Sequence, residues 1–208
     1  MLADARRFRR DATGLCRHCF CTFLGMKKQL LSLFILLFSL SAFSQDDEGR
    51  IRTELTGKIE NWEVTFLKDQ GTFEGYLMND VNRWTFDVGN LTGEVNSEFN
   101  DKYDSWEITV SDKTYHLKTW ISSSWNRWEL TGGDMKEKAT IQTLYSGSWD
   151  NWTLTRDSVE VDMTTYFNNS YDDWNIKGDL TKITDGEKVA AMFMPVFVSR
   201  VYRRIIAR

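Results

Sequence analysis

Polar and apolar residues alternate along most of this chain, and the alternation is punctuated by tryptophans at a nearly constant interval. Trp62, Trp84, Trp106, Trp128, Trp152 and Trp174 are separated by 22, 22, 22, 24 and 22 residues, the signature of a repeat architecture. Taking each Trp as position zero, position +2 is always apolar (Val64, Phe86, Ile108, Leu130, Leu154, Ile176) and position +1 is Glu, Thr or Asn. A period of two is a strand with one buried face.

A second strand precedes each Trp. Position −11 is Ile51, Phe73, Val95, Leu117, Ile141 and Met163, and position −7 is Leu55, Leu77, Phe99, Ile121, Tyr145 and Phe167. Between them, position −9 is small (Thr53, Gly75, Ser97, Thr119, Thr143, Thr165). Reading −11 and −7 as one inward face gives about twelve short antiparallel strands from six hairpin repeats. A turn at Asp112-Lys113 sets Trp106 opposite Thr119, so that a bulky indole meets a small side chain. The two extra residues of the 24-residue interval fall in the turn at 133–137, where added length costs least.

Twelve strands laid open at about 4.8 Å each make a sheet almost 60 Å wide with one apolar face wet. The expected architecture is therefore a closed or strongly curved all-β meander, and the alternative is a β-solenoid with one coil per repeat. A barrel of twelve strands has a backbone radius of roughly 12 Å and needs filling. The segment 185–208 is apolar over Val189–Val198 and basic at Arg200, Arg203 and Arg204. It is the candidate helix for that filling, with Asp185 as its cap and Pro195 as a bend.

The start of the chain has a different pattern. From Met26, two lysines precede an apolar run, Leu30 to Leu40, and then Ser41-Ala42-Phe43-Ser44. Small residues three and one before the scissile bond complete a secretory signal peptide over 26–44, with 1–25 read as an upstream extension. The β-repeat domain is then 45–184 and the helix 185–208. Cys16, Cys19 and Cys21, beside His18, all fall in the extension. The mature chain of about 164 residues is left without cysteine, hence without disulfides or a lipidated amino terminus. Trimming leaves 19 basic against 28 acidic residues, a net charge of about −9, which disfavours nucleic acid as a partner. The expected location is periplasmic, outer-membrane-associated or extracellular.

Catalytic chemistry finds little purchase in this composition. His116 is the single histidine after the signal segment and lies on the polar side of its strand, and the pair Asp172-Asp173 belongs to a repeated turn. No catalytic, metal or cofactor residues are assigned. The binding candidates come from the loops before each Trp, where an aromatic at −3 is followed by Asn or Asp: Tyr103-Asp104, Trp125-Asn126, Trp149-Asp150 and Tyr171-Asp172. A meander brings these loops to one rim. Exposed rings beside amides and carboxylates suit sugars, so a multivalent carbohydrate-binding module is one reading of function. Buried instead, the same residues serve a non-catalytic scaffold for envelope proteins, which is the principal reading. A small outer-membrane barrel is the third, although its strands need about 9 to 11 residues and an outward apolar face. Trp120, outside both repeat positions, is a further candidate contact. Intact-mass measurement of the exported chain is expected to place its first residue at Gln45; a first residue upstream of Met26 would overturn the signal assignment.

Overall fold

In the computed structural model, residues 48–206 are described, apart from 56–57, 78–79, 101, 146 and 168–169. The extension and signal segment assigned to 1–44 lie outside the described residues. Twelve strands follow one another: β1 (Glu48–Leu55), β2 (Lys58–Phe66), β3 (Asp69–Gly75), β4 (Arg83–Val88), β5 (Leu91–Phe99), β6 (Lys102–Val110), β7 (Lys113–Ile121), β8 (Ser124–Gly132), β9 (Ala139–Thr143), β10 (Asn151–Arg156), β11 (Val159–Thr165) and β12 (Asp173–Gly178). Every strand pairs antiparallel with its sequence neighbours, and β1 pairs with β12 to close a barrel. The solenoid alternative is thereby corrected, since its strands would stack coil on coil.

Two registers repeat around the barrel. Each Trp faces the small −9 residue of its own unit, as in Thr53↔Trp62, Gly75↔Trp84, Ser97↔Trp106 and Thr165↔Trp174. On its other side it faces the −11 residue of the next unit, as in Trp62↔Phe73 and Trp106↔Leu117. The seam obeys the same rule, with Trp174 opposite Ile51. Bulky-to-small pairing is thus present, but across the loop before each Trp rather than across the turn after it. The reason lies in that turn. It is Ser111-Asp112, with Ser111 at φ 54°, one residue earlier than expected, so Trp106 meets Leu117 and not Thr119. Leu67, Gly89 and Asp157 take the same left-handed conformation at the equivalent turns, the geometry that matches strand twist in a two-residue hairpin.

Size complementarity returns two layers nearer these turns, beyond a layer in which both partners are bulky, as in Phe73↔Phe86 and Val95↔Ile108. Gly49 faces Phe66, Gly71 faces Val88, Gly93 faces Val110, Tyr115 faces Gly132, and Val161 faces Gly178. One partner in each pair is glycine, so neighbouring strands approach closely while the lumen keeps one side chain per pair. At Gly93 a Cβ would sit 1.9 Å from the Thr109 carbonyl oxygen.

A helix fills the lumen. α1 (Asp185–Val196) continues as a π-helical segment, Phe197–Ile206, and every residue from Val189 to Ser199 is buried. A helix buried all round needs apolar residues on all faces, and this one has Val189, Ala190, Ala191, Met192, Phe193, Met194, Val196, Phe197 and Val198. Phe193 meets Trp106 edge-on at 4.8 Å, and Phe197 meets Trp128 at 4.8 Å. The N-cap is Thr184 rather than Asp185. Thr184 and Glu187 form a reciprocal capping box, which satisfies two otherwise orphaned N–H groups. Pro195 contributes no N–H, and the α-helical pattern ends one residue later.

Ion pairs pin both ends of this helix. Glu187, fully buried, accepts from Arg156 Nε at 2.7 Å, and Arg156 also donates to the Lys182 carbonyl. At the far end Arg200 lies 3.3 Å from Glu60. Phe193→Ala is expected to destabilise the protein by about 3–5 kcal/mol in urea unfolding, the usual cost of emptying a buried phenylalanine site. A loss below about 1 kcal/mol would mean that the lumen does not depend on it.

Candidate functional site

The loops before each Trp gather at the rim where the helix ends, and the indoles themselves organise them. Trp84, Trp106, Trp128, Trp152 and Trp174 each donate Nε1–H to the carbonyl three residues earlier, at Val81, Tyr103, Trp125, Trp149 and Tyr171, over 2.8–3.2 Å. A buried indole N–H needs such a partner. Because the acceptor is backbone, position −3 is held whatever its side chain.

The rings at −3 turn inward. Tyr103 stacks on Trp106, Trp125 packs on Trp128 and Phe197, and Tyr171 packs on Trp174. Trp149 stacks on Tyr202 with centroids 3.6 Å apart. Together with Tyr202 and Phe197 they floor the rim, closing the barrel over the helix end. The polar residues beside them serve the loops. Asp104 accepts from Ser122 Oγ at 3.0 Å, Asn126 from Ser124 Oγ at 2.7 Å, and Asp150 from Ser148 Oγ. The Asp172 and Asp150 carbonyls accept from the backbone N–H of Thr53 and Thr165. The eight residues selected from the sequence are therefore brought to one rim, but their rings face the core.

A different set faces solvent. The exposed large apolar side chains among the described residues are Tyr76, Leu77, Phe99, Trp120, Ile121, Leu144, Tyr145, Tyr166 and Phe167, all 49–69 % exposed. Every one occupies position −8 or −7 of a repeat. The expected inward face at −7 is thus corrected. In β1, β5 and β7 the register shifts between −9 and −7, at Thr53/Leu55, Ser97/Phe99 and Thr119/Ile121. Such a bulge breaks the period of two, and the wall has already been topped by the Trp layer, so there is no core left for −7 to enter.

Cations cover part of this ring. Arg83 lies over Tyr76 at 4.1 Å, Arg127 over Trp120 at 4.4 Å and Arg50 over Tyr166 at 4.5 Å. Arg50 also makes a two-point contact with Asp173, and this hydrogen-bonded carboxylate raises its pKa against the cost of burial.

The outer wall is polar and laced with cross-strand pairs, including Arg52–Glu63, Arg83–Glu94 and Lys138–Glu129. A largely enclosed acid of this wall is Glu98, which sits 2.8 Å from His116 Nδ1 and 3.1 Å from Lys118 and accepts from Ser105 Oγ at 2.7 Å. Burial alone would raise its pKa, but the hydrogen bonds from Ser105, His116 and Lys118 outweigh burial and lower it. At the opposite rim Tyr115 donates to Asp134. Burial first, and that carboxylate second, push its hydroxyl pKa well above the usual tyrosine range. Among the described residues no three His, Cys, Asp or Glu side chains converge as a metal site, and no helix is long and apolar enough to cross a membrane.

A depressed native pKa means that the stability from Glu98 is complete above the ordinary glutamate value of about 4.3 and is lost as pH falls through the lower native value. Urea midpoints measured from pH 6 down to pH 3 are expected to fall less steeply in Glu98→Gln than in the unchanged protein; parallel curves would sink the assignment. Comparison of the chain with protein-family models, with curated proteins and with solved structures gives no match.

Proposed function

We propose that this protein is a non-catalytic scaffold of the cell envelope that holds another protein on its aromatic rim. The observation that carries the reading is the ring of nine exposed apolar side chains confined to two adjacent repeat positions. Isolated exposed hydrophobics are ordinary, whereas a contiguous set marks a contact surface. Its chemistry favours a protein partner. Tyr, Trp, Phe and Arg are the residues enriched at protein interfaces, and three of the rings carry an arginine already stacked on them.

Two further observations support the reading. The lumen is occupied by the protein's own helix, so the ligand-cup use of a wide barrel has no room. The outward wall carries Glu, Lys, Arg and Thr in cross-strand pairs, the reverse of the apolar band of a membrane barrel. The envelope location rests on the signal-type segment at 26–44.

The test uses a variant with Leu77→Ser, Phe99→Ser, Tyr145→Ser and Phe167→Ser. Each of these side chains is more than half exposed, and surface changes generally stay within about 0.5 kcal/mol, so the melting temperature is expected to hold. A photo-cross-linker at Leu144 is expected to trap one envelope protein in the host with the unchanged rim and not with the variant. Equal trapping by both proteins would overturn the proposal.

A further inference from the structure

Three arginines lie over exposed rings of the aromatic rim, and one of them differs from the other two. Arg50, over Tyr166, donates through Nε and Nη2 to Asp173, and Arg83, over Tyr76, donates through the same two atoms to Glu94. Arg127, 4.4 Å from the centre of the Trp120 ring, meets no carboxylate among the described residues. The ladder explains the difference. Arg83 faces Asn96, and Glu94, two residues before Asn96, supplies its acid. Arg127 faces Gln142, and the residue two before that is Thr140.

The charges beside Arg127 are already paired with one another. Glu129, two residues further along β8, is held by Lys138 at 2.6 Å, and Lys118, which faces Glu129 from β7, reaches Glu98 at 3.1 Å. Arg127 Nε is shielded from solvent and donates to nothing, whereas its two terminal nitrogens, equally without an acceptor, are not shielded. The guanidinium is a charge with part of its hydration removed and no counter-ion in its place, which is unfavourable. A carboxylate meeting both terminal nitrogens end-on would make a two-point, charge-assisted pair, the kind of partner that Arg50 and Arg83 find within the chain.

We infer that Arg127 is the charged anchor of the rim and takes an acidic side chain, Asp or Glu, from the docked protein, an inference that rests on the reading of the rim as a protein-contact surface. The surroundings fix where in the partner that acid stands. β8, which carries Arg127, lies between β7 and β9. Trp120 and Ile121 at the end of β7, and Leu144 and Tyr145 just past β9, are each more than half exposed. Apolar surface therefore flanks the cation on both sides, and the matching segment has apolar residues on both sides of its acid. A chain-terminal carboxylate would leave one flank uncovered. A phosphate group would lack a second cation, since Lys118 and Lys138 hold Glu98 and Glu129. Apolar burial by itself is non-directional, whereas one charged pair fixes the register in which the partner docks.

The experiment selects random dodecapeptides, displayed on phage with their carboxyl ends fused, on the purified protein and on its Arg127→Gln and Arg127→Lys variants, with the melting temperature of each recorded. The unchanged protein is expected to enrich an Asp or Glu between apolar residues. Arg127→Gln is expected to keep the apolar preference and lose the acid, and Arg127→Lys to keep a weakened preference for it. The best peptide, remade with its acid changed to the amide, is expected to bind the unchanged protein about tenfold less tightly, while Arg127→Gln binds the two forms alike. Apolar peptides enriched without an acid, or the same tenfold preference in Arg127→Gln, would overturn the inference and leave the rim as a contact surface. No peptide enriched by the unchanged protein would overturn both.

Discussion

Everything in this fold follows from the need to fill a twelve-stranded barrel. The wall encloses more space than its own inward side chains occupy unless those side chains are very large, and an empty apolar lumen forfeits dispersion contacts on every surface that lines it. Six tryptophans at one level, all buried, take up part of the volume, and α1 takes the rest. The two are complementary parts of one core. Phe193 meets Trp106 edge-on and Phe197 inserts edge-on between Trp106 and Trp128. Without the helix the indoles would lack an inner neighbour; without the indoles a single helix would rattle in the cylinder.

The same constraint explains the small residues. A wall that has to present large groups inward at one layer cannot do so from every strand. At the Trp layer the odd-numbered strands offer Thr, Ser or Gly, and nearer the tight turns glycine stands opposite the bulky member of each pair. The charges obey it too. Glu187 enters the lumen at the helix start, and it does so with Arg156 and the capping box as partners, since an isolated carboxylate at that depth would be far too costly.

Much of this was legible in the residues. The Trp period and the period-two alternation are direct readouts of strand number and inward face, and closure followed from the width of an open sheet. Thr184-Asp185-Gly186-Glu187 spells a capping box, although Asp185 is itself a cap former and stands beside the true cap. What alternation cannot reveal is a bulge, as before Phe99 and Ile121, or the end of a strand, as before Leu77, Tyr145 and Phe167. Leu77, Phe99, Ile121, Tyr145 and Phe167 keep the parity of the core face and are apolar, yet they stand beyond the last core layer and are exposed. Conversely Tyr103 and Trp125, at the starts of β6 and β8, and Trp149 and Tyr171, in the loops before β10 and β12, stand among polar residues where local composition favours exposure, and the indole-to-carbonyl hydrogen bonds and the helix end below them draw their rings inward. The hairpin register failed by a single turn residue because Ser111-Asp112 and Asp112-Lys113 are both acceptable turn pairs by type. Backbone sign, φ 54° at Ser111, decides between them.

The order of these pieces along the chain carries a consequence of its own. Synthesis runs from the amino terminus, so all twelve strands exist before the helix does, and β1 cannot reach its final partner until β12 has been made. Neither the seam nor the filling is local. A ribosome or a translocation channel that releases this chain progressively therefore delivers the hairpins before any common core exists to join them, and hands over the organising element only after all twelve strands. A stop between β12 and Asp185 leaves the twelve strands without the helix that covers the inner faces of their tryptophans.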